Sequence, residues 1–158
     1  MKISLLQTDI RWKDPRANRR RAEELISDLP AADLIVLPEM FTTGFCTDPT
    51  ETAEPADSET LAWMRSVAAA RNAAVGGSVA TEADGRYYNR FYFVKPDGSY
   101  ATYDKRHLFS FAGEDKRYTA GTERVLVEHC GFRIMLQVCY DLRFPVFEIG
   151  RASCRERV

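Results

Sequence analysis

The run "LIVL", Leu34 to Leu37, is apolar without interruption and is closed by Pro38 and Glu39. Continuous apolar runs of this length belong to strands covered on both faces. A proline then ends the pairing, because it has no N–H to donate. Upstream, "KISLLQTDI" reads as another strand. Between the two, "ANRRRAEELISDLP" carries Ala22, Leu25, Ile26 and Leu29 at helical spacing, with Pro30 marking its end. "DSETLAWMRSVAAARN" predicts a second helix with Asp57 or Ser58 at its N-cap. "AAVGGSVA" is a further short strand. "RYYNRFYFVKPDGSYATYDK" predicts a hairpin turning at Pro96, Asp97 and Gly98, and "RVLVEHCGFRIMLQVCYD" a second one turning near Cys130 and Gly131, in which "RIMLQVC" is apolar enough to read as a central strand covered on both faces. Strand, helix, strand, helix, strand and then hairpins is the order of an α/β protein with a mixed sheet. Helices on one face leave the other face in need of cover. A second sheet supplies it, giving a two-sheet sandwich with helices outside.

Composition narrows the function. The 158 residues are 45% hydrophobic and 28% charged, enough for one domain with a real core. A formal net charge of −1 gives no electrostatic footprint for nucleic acid or a membrane surface. The basic run Arg16 to Arg21 reads as a solvated helix face. The arginines and aromatics of "GRYYNRFYFV" alternate as a sheet does, which favours core over base stacking. No apolar run approaches the ~20 residues of a membrane span. Met1 leads directly into the first strand, which leaves no room for a signal peptide. The four cysteines, Cys46, Cys130, Cys139 and Cys154, form no CxxC pair, as expected of a reducing cytoplasm. With two histidines and scattered cysteines there is no zinc spacing. Neither a P-loop nor a GxGxxG is present, so no metal or cofactor is expected.

Three polar residues stand where strands end: Glu39 after "LIVLP", Lys105 after "YATYD" and Cys139 after "IMLQV". Catalytic and ligand groups of α/β folds gather at strand ends. Taken singly, each has an ordinary explanation as a solvated glutamate, a surface lysine or a core cysteine. Together they have matching chemistry. A thiol attacks only as thiolate, so it needs a base or a nearby cation; Glu39 suits the first role and Lys105 the second. Of the histidines, His129 adjoins a turn and is expected to be exposed. His107 lies close to Lys105, which leaves a Cys–His dyad open.

The blocks "LIVLPEMFTTGF", "YDKRHLFSFAGEDKRYTAG" and "VCYDLRFP" resemble the three signature blocks of the nitrilase superfamily of carbon–nitrogen hydrolases, with the omega-amidase branch as the best match. They stand in family order, and the resemblance runs from Met1 to about Phe147. It implies an α-β-β-α sandwich, a catalytic triad of Glu39, Lys105 and Cys139, and Glu114 as the additional glutamate beside the lysine. The implied activity is hydrolysis of a small terminal amide, with the omega-amide of a 2-oxo dicarboxylic acid as substrate, in the cytoplasm. Alternatives are a nitrile, carbamoyl or aliphatic amide hydrolase, or a binding domain that keeps the fold without the chemistry. The N–H of Tyr140 is expected to face the reacting oxygen. Asp141 and Arg143 read as an ion pair fixing the turn; in a second reading Arg143 holds a substrate carboxylate.

Residues 148–158, "EIGRASCRERV", do not resemble the family. They look like a translated sequencing adapter, which makes 1–147 the hydrolase domain and Cys154 irrelevant to function. Family members continue beyond the nucleophile with strands and helices that complete both sheets and support a homodimer. The resemblance therefore implies a domain incomplete at its C-terminus.

Overall fold

The computed structural model of the chain describes residues 1–147. The tail 148–158 that the sequence sets apart lies outside the described residues.

The first strand, β1 (Ile3–Leu5), leads to helix α1 (Pro15–Ser27). Asp14 caps this helix, its carboxylate accepting from Ala17 N, and Pro15 fills the first helical position, where no N–H is needed. Ala22 and Ile26 are buried and Leu25 and Leu29 pack beside them, the face predicted from the spacing. Next come β2 (Leu34–Val36) and a two-residue strand, β3 (Glu54–Pro55). Helix α2 (Glu59–Arg71) is capped by Ser58, whose hydroxyl accepts from Leu61 N, and closes on Asn72 in a left-handed conformation. Then follow β4 (Ala74–Ala83), β5 (Arg86–Val94), β6 (Tyr100–Asp104), β7 (Leu126–His129) and β8 (Phe132–Met135).

The main sheet has six strands in the order β1-β2-β4-β5-β6, with β3 paired to the far end of β4. Pairing is parallel from β1 to β4 and antiparallel from β4 to β6, the mixed sheet expected. Both helices cover one face, where Ile26, Leu61, Met64, Val67, Val75 and Tyr92 form the larger core. On the other face Leu34, Ala74, Phe93 and Tyr103 pack against Val127, Leu136 and Val138, from β7 and the chain that follows β8. β7 and β8 form the second sheet. Helix layer, sheet and second sheet are three layers of the α-β-β-α sandwich. Among the described residues no helix covers the outer face of the second sheet.

Several elements differ in extent from the sequence reading. "KISLLQTDI" pairs only over Ile3–Leu5. β4 runs on to Ala83 because Asp84 and Gly85, with φ of 52° and 68°, make a tight hairpin turn into β5. The larger correction concerns "RIMLQVC", read as a central strand. β8 stops at Met135, and among the described residues β7 and β8 pair only with each other. Phe132 is 51% exposed and Leu126 60% exposed, so this hairpin has only one covered face. Beyond it Leu136 and Val138 are buried against the main sheet.

Candidate active site

Glu39 leaves β2 on a loop held against β4. Leu37 N donates to Gly76 O, Met40 N to Ser78 Oγ and Phe41 N to Ser78 O. The loop can approach because Gly77 has no side chain. A Cβ there would lie 2.9 Å from the Leu37 Cβ and 3.1 Å from the Phe41 ring. Lys105 follows β6, its N–H donating to Asn89 O on β5 and its carbonyl accepting from Gly121 N. That second contact also requires glycine, since a Cβ on Gly121 would come within 2.0 Å of Asp104 O. Glu114 opens a short 3-10 turn, Glu114–Lys116, behind the lysine.

These three side chains meet in the interior. Lys105 Nζ donates to Glu39 Oε1 at 2.8 Å and to Glu114 Oε2 at 2.9 Å. Lys105 and Glu114 are fully buried, whereas the Glu39 side chain keeps 19% of its exposure. Asn89 spans both carboxylates, its amide nitrogen 2.8 Å from Glu39 Oε1 and 3.0 Å from Glu114 Oε1. Phe109 N adds a bond to Glu114 Oε2 at 2.6 Å. Both of the Glu39 bonds fall on Oε1, leaving Oε2 outside the ion-pair network. The Phe45 ring faces the ammonium with 5.3 Å from Nζ to its centroid, in the range of a cation–π contact. Burial by itself lowers the pKa of Lys105. The charges of Glu39 and Glu114 and their hydrogen bonds outweigh it, so the ammonium is held above its ordinary value.

Cys139 begins a five-residue 3-10 turn, Cys139–Arg143, and its φ of 45° is left-handed. Such a conformation is uncommon for a residue with a side chain and is retained only where the surroundings hold it. The residue as a whole is exposed. Partial burial on the pocket side still pushes the thiol up, and so does the charge of Glu39 and hydrogen bonding to it; Lys105 pulls it down by less. A cavity of about 380 Å³ joins these groups, lined by Glu39, Phe45, Lys105, Phe109, Cys139, Tyr140, Leu142 and Arg143. That is space for a small molecule.

Residues 2–149 match the family model described as carbon-nitrogen hydrolase. The chain belongs to the carbon–nitrogen hydrolase family. This carbon–nitrogen hydrolase chain is 48% identical over 147 residues to omega-amidase YafV of Yersinia enterocolitica, a match covering 93% of the chain and 57% of the relative. It is 34% identical to 2-oxoglutaramate amidase of Bacillus subtilis, covering 90% of the chain and 57% of that protein. The crystal structure of XC1258 from Xanthomonas campestris, a CN-hydrolase superfamily protein with an arsenic adduct in its active site, superposes with a TM-score of 0.90 at 48% identity. That match covers 93% of this chain and 56% of the other. The chain thus spans 57% of the length of each of these two curated relatives.

Every site residue named from the sequence of this carbon–nitrogen hydrolase lies in or beside the cavity, with Glu114 directly behind Lys105. The expected Asp141–Arg143 ion pair does not form. Asp141 is buried and accepts from Tyr103, His107 and Val138 N, while Arg143 is exposed at the cavity wall. The dyad left open for His107 does not form, and His129 is less exposed than expected. His107 Nδ1 lies 2.8 Å from Asp141 Oδ1, so that nitrogen is not engaged with the thiol. His129 is half-buried, its Nε2 2.8 Å from Asp33 O and its ring edge-on to Phe93. Sequence reasoning missed Phe45, Phe109 and Leu142 of the cavity wall and, among the polar groups, Asn89. Its signal is an amide at the parity of Phe91 and Phe93, and therefore on a core-facing side of β5.

Proposed function

We propose that the protein is an amidase-type hydrolase that cleaves the omega-amide of a 2-oxo dicarboxylic acid to acid and ammonia through a thioester on Cys139. The observation that carries this reading is the Lys105 ammonium held between Glu39 and Glu114 at the wall of the cavity that Cys139 shares. The raised thiol rests protonated, so a base must remove its proton as it attacks, and Glu39 is the carboxylate beside it. The sulfur adds to the amide carbonyl while Glu39 takes the thiol proton. Lys105 and the Tyr140 N–H stabilise the oxyanion. The C–N bond breaks, Glu39 returns the proton to the departing nitrogen, and ammonia leaves. Glu39 then deprotonates water, which attacks the thioester and releases the acid and the Cys139 thiol. Lys105, kept cationic, has no proton to accept, and Glu114 balances its charge.

Arg143 supports the choice of a carboxylate-bearing substrate. Lys105 is engaged by two carboxylates, whereas the Arg143 guanidinium stands exposed at the cavity wall and suits a bidentate carboxylate. The names of the YafV and Bacillus relatives agree with this substrate class. The same reading takes 1–147 as the hydrolase domain and 148–158 as a foreign tail, which the genomic sequence downstream of codon 147 tests. It places the complete protein in the cytoplasm as a homodimer. Exposed Leu142 and Val146 near the nucleophile supply apolar surface for the dimer, and light scattering reads the mass. Among the described residues no helix is long and apolar enough to cross a membrane.

The deciding experiment compares ammonia release from 2-oxoglutaramate and from the corresponding nitrile by the intact protein. Cys139→Ala should abolish release from the amide, and Cys46→Ala and Cys130→Ala should retain most of it. Faster turnover of the nitrile moves the protein to another branch of the family. Turnover of neither, with Cys139 inert to alkylation, makes it a binding domain. Normal amide turnover by Cys139→Ala ends the thioester mechanism.

A further inference from the structure

Asp141 stands apart among the buried carboxylates, because nothing in the chemistry above uses it. It is fully buried two residues past the nucleophile. Its Oδ2 accepts from the Tyr103 hydroxyl at 2.7 Å and from Val138 N at 3.0 Å. Its Oδ1 accepts from His107 N at 2.9 Å and meets His107 Nδ1 at 2.8 Å. Since a carboxylate oxygen can only accept here, the imidazole carries its proton on Nδ1. The ring is fixed from its face as well, stacked on Phe144 at 3.8 Å and 6°.

The placement of these partners matters more than their number. Tyr103 and His107 flank Lys105 at two residues on either side. Val138 and Asp141 flank Cys139, and a second bond between them, Asp141 N to Val138 O at 3.1 Å, closes the turn around the left-handed residue. One carboxylate therefore ties the strand end that carries the lysine to the turn that carries the thiol. Among the described residues every hydrogen bond between the two segments ends on this carboxylate. The Lys105–Glu39–Glu114 network reaches the thiol but contains no bond to the backbone around Cys139 among the described residues, so it does not place the turn that carries the sulfur.

We propose that Asp141, gripped by Tyr103 and His107, is a positioning residue that sets the separation of the Cys139 sulfur from Lys105 and Glu39. This rests on the amide-hydrolase reading. Nucleophilic attack requires near-attack geometry, and a displacement of ~1 Å costs about 100-fold in rate. The clamp touches neither the carbonyl nor the substrate carboxylate. Its loss should therefore fall on kcat and leave KM nearly unchanged.

The test measures kcat and KM for 2-oxoglutaramate in the complete protein, per folded molecule as judged by circular dichroism. His107→Leu, which removes the ring donor, should lower kcat by about 30- to 100-fold with KM within about threefold. His107→Asn places an amide N–H where Nδ1 stood and should recover at least about a third of the lost activity on a logarithmic scale. Tyr103→Phe loses a single hydroxyl, leaves the ring packing intact, and should lower kcat by about tenfold; it decides the matter if His107→Leu does not fold. A kcat within about threefold of wild type in Tyr103→Phe or in folded His107→Leu overturns the proposal, as does a loss confined to KM. A merely structural clamp would lower the melting temperature without this kcat loss, and His107→Asn would not rescue. Cys139→Ala is run in parallel: if it turns over, the thioester reading on which the proposal rests fails. If it is dead while the clamp variants are normal, only the positioning role fails.

Discussion

At Cys139 the charge of the proposed base is also a charge that keeps the thiol protonated. Burial first, and then the Glu39 carboxylate, hold its pKa above the ordinary value, and Lys105 offsets only part of this. The sign of a Glu39→Gln substitution follows. A negative charge beside a thiol disfavours the thiolate, so its removal lets the thiolate form at lower pH. The pH midpoint of iodoacetamide labelling at Cys139, read by mass spectrometry, should move down. Amide turnover should meanwhile fall by at least about 100-fold, because the base is gone. A midpoint that moves up would show that Glu39 does not face the sulfur. Lys105→Met has a different signature. It leaves Glu114, fully buried, and Glu39 without their cation, and stranding a buried charge costs about 3–5 kcal/mol in urea unfolding. Glu39, Lys105 and Cys139 were legible because each is a polar side chain closing a strand-like run of sequence, although β8 itself stops at Met135, short of Cys139. Asn89 was not, because one amide inside an alternating aromatic strand looks like the strand's solvated side. Only the pairing of Arg90 with Asp104, which sets β5 against β6, brings Asn89 alongside Lys105.

Elements were legible where their signal was local. Both helices announced their faces by spacing and their starts by Asp14 and Ser58, since caps and periodicity need no knowledge of the rest of the chain. The extent of the strands was less so, because strand length is set by the partner. β1 ends at Leu5, where its pairing with β2 ends, and "RIMLQVC" was apolar enough to suggest a central strand although, among the described residues, β8 has β7 as its only partner. The glycine of "AAVGGSVA" has a meaning that only packing reveals. Gly77→Ala would set a methyl 2.9 Å from the Leu37 Cβ and 3.1 Å from the Phe41 ring, under the loop that carries Glu39. Overpacking of this kind costs about 1–3 kcal/mol, and here the loop that must yield carries the proposed base. Denaturation and turnover measured on Gly77→Ala should therefore both change, with kcat falling further than stability loss explains. The comparison is Gly131→Asn, at an open hairpin turn with φ of 77°, where a left-handed asparagine should leave both close to wild type.

Across the whole molecule, the site is assembled from two layers. Glu39 and Lys105 come from the main sheet, whereas Cys139 arrives on chain that follows the second sheet. What holds the two together is the smaller core, in which Leu136 and Val138 pack on Leu34, Ala74, Phe93 and Tyr103. The larger core on the helix face contains none of the chain around Cys139. The two faces should thus be separable by mutation. Leu136→Ala removes a side chain 3% exposed from the smaller core, at a cost of about 2–5 kcal/mol. Ile26→Ala, 2% exposed between helix and sheet, loses the same kind of packing on the other face. Trp63 packs on Phe41 within the larger core, with ring centroids 5.8 Å apart, and its fluorescence reports on that face. Amide turnover reports on the alignment of the two layers. In a urea titration of the wild type, both signals should be lost together if the domain unfolds as one unit. In Leu136→Ala the midpoint for turnover should fall below the midpoint for fluorescence, because Cys139 loses its seat while the helix face remains packed. In Ile26→Ala the two midpoints should fall together. Coincident midpoints in Leu136→Ala would mean that the smaller core has no independent stability and that the docking of the second layer cannot be weakened without unfolding the first.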